Sequence, residues 1–256
     1  MPFPSSLALK NFFVPGSRPA YQAGQVIDFG DYVLRLKVNG RARRISLRID
    51  NKTGEAVVTA PKLGHLKDAV DFARSRHDWI LDKRRDQPQP EAFAPGVVIQ
   101  IKGHAVTLAE QSGIISARPV QQTDGSWHLV SSGDAKTYAR RIERYLRQQA
   151  LKALQVETDH YAEQLSVSGV KISLFDARGR WGSCTPSRKT IRYSWRIIMA
   201  PVAVLKYLCA HECAHLRHPD HSDRFWTEVT GLFGDYKPAR KWLKSHGTDL
   251  FRYQSP

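Results

Sequence analysis

The stretch LKYLCAHECAHLRH, residues 205–218, decides how this chain is read. Its apolar residues recur at three- and four-residue spacing, the period of an α-helix. Pro201 suits a helix start and Pro219 stops the helix just past the stretch. Inside it lies His211-Glu212-Cys213-Ala214-His215, an H-E-x-x-H. Two histidines four apart on a helix face the same way, one turn apart, and can both bind one metal ion. Glu212, beside the first histidine, can reach a water on that ion and act as general base for hydrolysis.

A catalytic site of this kind needs a third protein ligand and keeps its fourth position for water. Two histidines are candidates. His218 follows His215 by three and shares its helical face. His221 lies beyond Pro219, and a turn at Pro219–Asp220 can bring it under the metal. The spacing His211, His215, His221 is that of the metzincins, but His218 stands where they carry glycine, and no Met-turn is evident. Cys209 and Cys213 are each two residues from a motif histidine. That is about 200° around a helix, so their thiols point into the core. Cys184, in RWGSC, is a weaker candidate as a thiol nucleophile paired with histidine.

Lys171 to Asp176 and Lys189 to Trp195 read as strands around the turn GRWGSCTPS. Helices are expected at about 201–217, 222–232 and 236–245. Residues 135–165 form a long helix, with Tyr138, Ile142, Tyr145, Leu146, Leu151, Leu154, Tyr161 and Leu165 on its apolar side. Arg140, Arg141, Arg144 and Arg147 mark a basic, solvated side. Short strands separated by glycine turns fill 96–131, and one helix spans 66–85, ending at a linker near Gln87–Pro90. Earlier, two strand-like runs around Asn39-Gly40 suggest a hairpin, made basic by Arg43, Arg44, Arg48 and Lys52. A second turn is expected at Asn51 to Gly54. No internal repeat or low-complexity segment is visible. The expected organisation is an irregular arm over 1–25, a strand-rich region over 26–133 and a metal-binding region over 134–256, packed as one α+β unit.

Composition sets the outer limits. With 256 residues, 41% hydrophobic and 25% charged, the chain has ordinary globular usage and can bury a sizeable core. No apolar run is long enough for a bilayer span. The first residues, MPFPSSLALKNFFVPG, lack the basic lead-in of a secretory signal. Three cysteines are too few for a disulfide scaffold, so the expected setting is the cytoplasm. A net charge of +15 favours polyanionic partners without choosing among them.

The C-terminal third resembles the YgjP-like family of zincin-type metallopeptidases, related to the SprT and WLM metallopeptidases. The stretches that carry the resemblance are Arg180-Trp181-Gly182-Ser183-Cys184, then Pro201, then His211-Glu212-Cys213-Ala214-His215-Leu216, then His221-Ser222 and Phe225-Trp226. RARRISLRI near 41–49 and the helix containing Trp79 also look like the family. The resemblance implies zinc (Zn2+) held by His211, His215 and His221, Glu212 as catalytic base, and a peptide or protein substrate. It implies an α+β fold with a zincin-like metal-binding helix packed on a small sheet, behind a strand-rich N-terminal half. Lys189 to Trp195 could then supply the strand beside the cleft, and an extended peptide could pair with its edge. Two alternatives stay open: a metal-dependent hydrolase of nucleotide phosphoanhydrides, and a basic nucleic-acid-associated protein with a structural zinc. The oligomeric state is not legible.

Overall fold

In the N-terminal part, Leu34 and Leu36 are fully buried while the alternate Arg35 and Lys37 are less so, the two-residue period of a strand with one face on a core. The computed structural model describes residues 21–50, 53–85, 90–176 and 179–255. They fall into two compact units that divide between 86 and 87. Within the first unit, strands β1 (Val26–Asp28), β2 (Val33–Val38), β3 (Ser46–Ile49) and β4 (Ala56–Ala60) form one sheet in the order β1-β2-β4-β3. Helices α1 (Leu66–Ser75) and α2 (His77–Arg85) follow. Leu66, Ala69, Val70 and Ala73 of α1 pack with Leu34, Leu36 and Val58 in a core of their own.

The hairpin expected around Asn39-Gly40 does not form. β2 pairs in parallel with β4, and β3 pairs antiparallel with the other side of β4. The reason lies in β4, AVVTA, in which every residue but Thr59 is buried. A strand apolar on both faces takes the interior of a sheet. Asn39 and Gly40 do make a turn, with the Asn39 carbonyl accepting from the Ala42 N–H at 2.9 Å, but it leads out of the sheet. The single helix expected over 66–85 is interrupted at Arg76, whose N–H bonds back to Ala73. The arm over 1–20, the linker at 87–89 and the start of the turn at Asn51 lie outside the described residues.

The second unit holds β5 (Glu91–Ala92), β6 (Val98–Ile101), β7 (His104–Glu110), β8 (Arg118–Gln121), β9 (Trp127–Ser131), α3 (Ala135–Gln164), β10 (Lys171–Phe175), β11 (Gly182–Thr185), β12 (Thr190–Ser194), α4 (Val202–Ala214), α5 (Asp223–Phe233), α6 (Lys237–His246) and β13 (Tyr253–Gln254). Short 3-10 turns connect several of them. The strands at 98–131 share a core with α3 through Ile99, Leu108, Leu129 and Ile142, so they group with the C-terminal residues rather than with 26–85. Their sheet runs β6-β7-β9-β8 with antiparallel, parallel and antiparallel pairs. That is the order and sense of the first unit's sheet. A repeat is therefore present in topology, where none is visible in sequence, because pairing depends on the alternation of apolar residues and not on their identity.

Helix α3 starts on Asp134, whose carboxylate accepts the Thr137 N–H at 2.7 Å. Its buried side runs from Tyr138 to Ala162, although Leu151 is exposed. The basic side is only partly solvated. Arg141 donates to the Ser132 carbonyl, and Arg147 pairs with Glu143 and Asp176. Helix α4 is buried on nearly all sides, from Val204 to Ala214, as a helix apolar all round must be. Among the described residues no helix is long and apolar enough to cross a membrane.

One buried cation ties the unit together. Arg196 is 4% exposed. It donates to both carboxylate oxygens of Asp176, at 2.8 and 3.3 Å, and to the carbonyls of Leu250 and Tyr253, at 3.1 and 2.6 Å. Burial alone would raise the Asp176 carboxyl, but the hydrogen bond and charge of Arg196 hold it below its ordinary value. A carboxylate lowered on folding adds stability above its unfolded value and loses it as pH falls through the folded one. Arg196→Ala should therefore cost about 3–5 kcal/mol at neutral pH, and the gap to wild type should narrow in strong acid. Urea melts at pH 7 and pH 3 check both; a loss under about 1 kcal/mol at pH 7 would contradict it.

Candidate metal centre

The α4 helix places His211 and Glu212 in its last turn, and His215 is its C-cap. Pro219 then diverts the chain. The Asp220 carboxylate accepts the Ser222 N–H at 3.2 Å, closing a tight turn that carries His221 back toward α4. Among the described residues, His211, His215 and His221 place one donor nitrogen each within 4.8 Å of one another, and this group could hold a metal ion. The two Nε2 atoms of His211 and His221 stand 3.2 Å apart.

His215 Nδ1 lies 2.9 Å from the His218 carbonyl. A carbonyl only accepts, so Nδ1 carries the proton and Nε2 keeps its lone pair, the tautomer a metal requires. His218 thus contributes its backbone. Its ring turns away, to 3.3 Å from the Glu228 carboxylate. Of the two candidates for third position, the structure brings His221 to the pair and leaves His218 outside it.

Phe225, fully buried on α5, backs all three rings, with centroids 4.9 Å from His211, 4.5 Å from His215 and 4.8 Å from His221. Phe225→Ala should cost about 3–5 kcal/mol and loosen the group. Thermal melts and metal affinity, taken together, check this; unchanged values of both would contradict it.

Burial, then the neighbouring His215 and His221, pushes the His211 imidazole down to about 3. Burial lowers His215 as well. The imidazole of His211 is therefore neutral at pH 7, as coordination demands. Glu212 is 4% exposed, and burial pushes its carboxyl up to about 8, with the Arg180 charge opposing. Its Oε2 has no hydrogen-bond partner among the described residues. A buried carboxyl oxygen without a donor is costly unless something else meets it. Three grouped imidazole nitrogens, one of them on the residue next to Glu212, fit a divalent cation with an N-rich first sphere.

The sheet beside this group differs from expectation. β10, β12 and β11 are ordered β10-β12-β11, so Thr190–Ser194 is the central strand and has no free edge. The stretch read as the turn GRWGSCTPS contains β11, one of the two edge strands of this sheet. Gly and Ser, poor strand formers, hide it in sequence. β11 also supplies Gly182, which belongs to the R-W-G-S-C stretch and takes on a role only in the structure. A Cβ on Gly182 would fall 2.3 Å from Glu212 Oε1, so only glycine leaves room for that carboxylate.

Cys209 and Cys213 are fully buried, as their helical phase implies. Cys184 is half-buried, and burial, then Glu212, raises its thiol to about 12, away from a nucleophile's requirement. Trp181 packs on Phe251, with centroids 5.0 Å apart. Arg180 lies exposed beside Phe175.

Residues 43–246 match the family model of the YgjP-like metallopeptidase domain. No curated protein matches the chain. Among solved structures it is similar to the metallopeptidase zymogen abylysin of Pyrococcus abyssi, at 22% identity and a TM-score of 0.34, over 40% of this chain and 98% of that one. It is also similar to the metallopeptidase zymogen jannalysin of Methanocaldococcus jannaschii, at 18% identity and a TM-score of 0.31, over 36% of this chain and 91% of that one.

Proposed function

The chain belongs to the YgjP-like metallopeptidase family, and from that premise we propose that it is a zinc-dependent peptidase. In this reading His211, His215 and His221 hold the ion, Glu212 is the general base, and the fold around α4 is zincin-like. The observation that carries the reading is the convergence of three imidazole nitrogens within 4.8 Å of one another, with the buried Glu212, whose Oε2 has no partner among the described residues, next to His211 in sequence. When bound, the ion supplies Lewis acidity that polarises the scissile carbonyl and acidifies a water. Glu212 accepts the proton of the attacking water and returns it to the departing amine. Gly182 keeps the carboxylate in reach of that water. The edge of β11 offers main-chain groups to an extended peptide, fixing the scissile bond over the triad. Three unbridged thiols suit the reducing cytoplasm we assign to it.

Incubating zinc-loaded protein with a peptide mixture and analysing the products by mass spectrometry tests the proposal. Cleavage that stops on chelation and returns with zinc supports it. No cleavage of any peptide by fully loaded protein overturns it.

Proton release gives a separate check. Without a cation, a carboxyl near 8 is mostly protonated at pH 7. A divalent charge nearby favours the carboxylate. Zinc binding at pH 7 should therefore expel about one proton from Glu212 and none from the already neutral His211. Calorimetry in buffers of different ionisation enthalpy reads that proton. Equal release by Glu212→Gln would contradict the assignment.

A further inference from the structure

The group is flanked by two guanidinium ions that the hydrolytic step does not use. Arg240, on α6, lies 4.5 Å over the Trp226 ring, and that ring stands 5.7 Å from His221 and 5.8 Å from His211. On the β11 side, Arg180 lies 5.7 Å over the Phe175 ring. Both side chains are exposed, and neither forms an ion pair among the described residues. They approach the centre from different elements: Arg240 by way of Trp226, which packs on His211 and His221, and Arg180 from two residues before Gly182, whose backbone abuts the Glu212 carboxylate. Of the carboxyls at the centre, Glu212 is committed to the reacting water, and Asp220, in the turn beside His221, accepts the Ser222 N–H. A divalent cation in the triad would add two further positive charges. A site with this surplus binds best a substrate that brings negative charge with it. Stacking on an aromatic face holds a guanidinium plane still while its N–H edge stays open to a carboxylate fork.

We propose that Arg240 and Arg180 are specificity-determining residues that select substrates carrying a carboxylate close to the scissile bond. This rests on the peptidase reading above and adds the class of peptide. The carboxylate has two sources: an acidic side chain, or the free C-terminus of a short peptide. Lysine in place of Arg240 keeps the charge but loses the planar fork, so it restores the selection only in part.

The test uses zinc-loaded full-length chain and paired peptides that differ only by Glu or Gln at positions flanking the cleaved bond. One set has acetylated and amidated ends; another has a free C-terminus. Wild type should prefer the carboxylate member by about 10- to 100-fold in kcat/KM. Preference within the blocked set assigns the side chain, and preference seen only with a free C-terminus assigns the terminus. The ratio should collapse toward one in Arg240→Gln or Arg180→Gln and recover partly in Arg240→Lys. Binding to zinc-loaded Glu212→Gln, which holds peptide uncut, should discriminate in the same sense when read by calorimetry. Equal cleavage of all pairs overturns the selection while leaving the peptidase reading in place. No cleavage of any peptide overturns both, and release of phosphate or pyrophosphate from a nucleoside triphosphate would then identify the substrate as a phosphoanhydride.

Discussion

Glu212→Gln is expected to lower kcat about 100- to 10,000-fold while leaving zinc content and fold unchanged. The substitution keeps the shape of the side chain and removes only its capacity to take a proton. The metal affinity should survive because the carboxyl is not one of the three grouped nitrogen donors. Stability should hold or rise, because a neutral amide is easier to bury than an ionisable carboxyl. Comparison of kcat, zinc per chain and thermal midpoint decides it. A variant that retains near wild-type kcat would remove Glu212 as the base.

Gly182→Ala is expected to cost about 100-fold in rate, through a residue that performs no chemistry. The added methyl would stand 2.3 Å from Oε1, 2.5 Å from Cδ and 2.7 Å from Cγ of Glu212. The clash involves most of the side chain, so a small rotation of the carboxylate does not relieve it. Either Glu212 swings out of the position proposed for the base or β11 shifts away from α4. A misplacement of about 1 Å in a catalytic group is enough for a 100-fold loss. Overpacking adds about 1–3 kcal/mol of destabilisation, and the three histidines, backed by Phe225, should still take up zinc. Measured together, a low rate with retained metal is the expected result. Full activity would contradict the account of Gly182, and lost metal would place its role in the triad's support instead.

How far the sequence foretold this arrangement depends on the range of the interaction concerned. The spacing of His211 and His215 is a property of one helix, so their common face was legible. The choice of His221 over His218 was half legible. Pro219 announced the break, but the reason His218 stays out is its ring's contact with Glu228 on α5 and its carbonyl's bond to His215, neither of which spacing encodes. Long helix α3 was readable from its period alone. The β2–β3 hairpin misled because Asn-Gly is a local signal, whereas the slot beside β2 went to β4 for its two apolar faces. The edge strand β11 was hidden by its glycine and serine, although that glycine is what admits Glu212. Arg240 lies nineteen residues beyond His221 in sequence, and only the stacking of α6 on Trp226 brings it to the centre.

The most direct measurement is zinc per chain, by elemental analysis, for wild type, His221→Ala and His218→Ala purified in parallel. The account predicts about one zinc in wild type and in His218→Ala, and loss or severe weakening in His221→Ala. Full retention in His221→Ala with loss in His218→Ala would contradict the three-histidine centre.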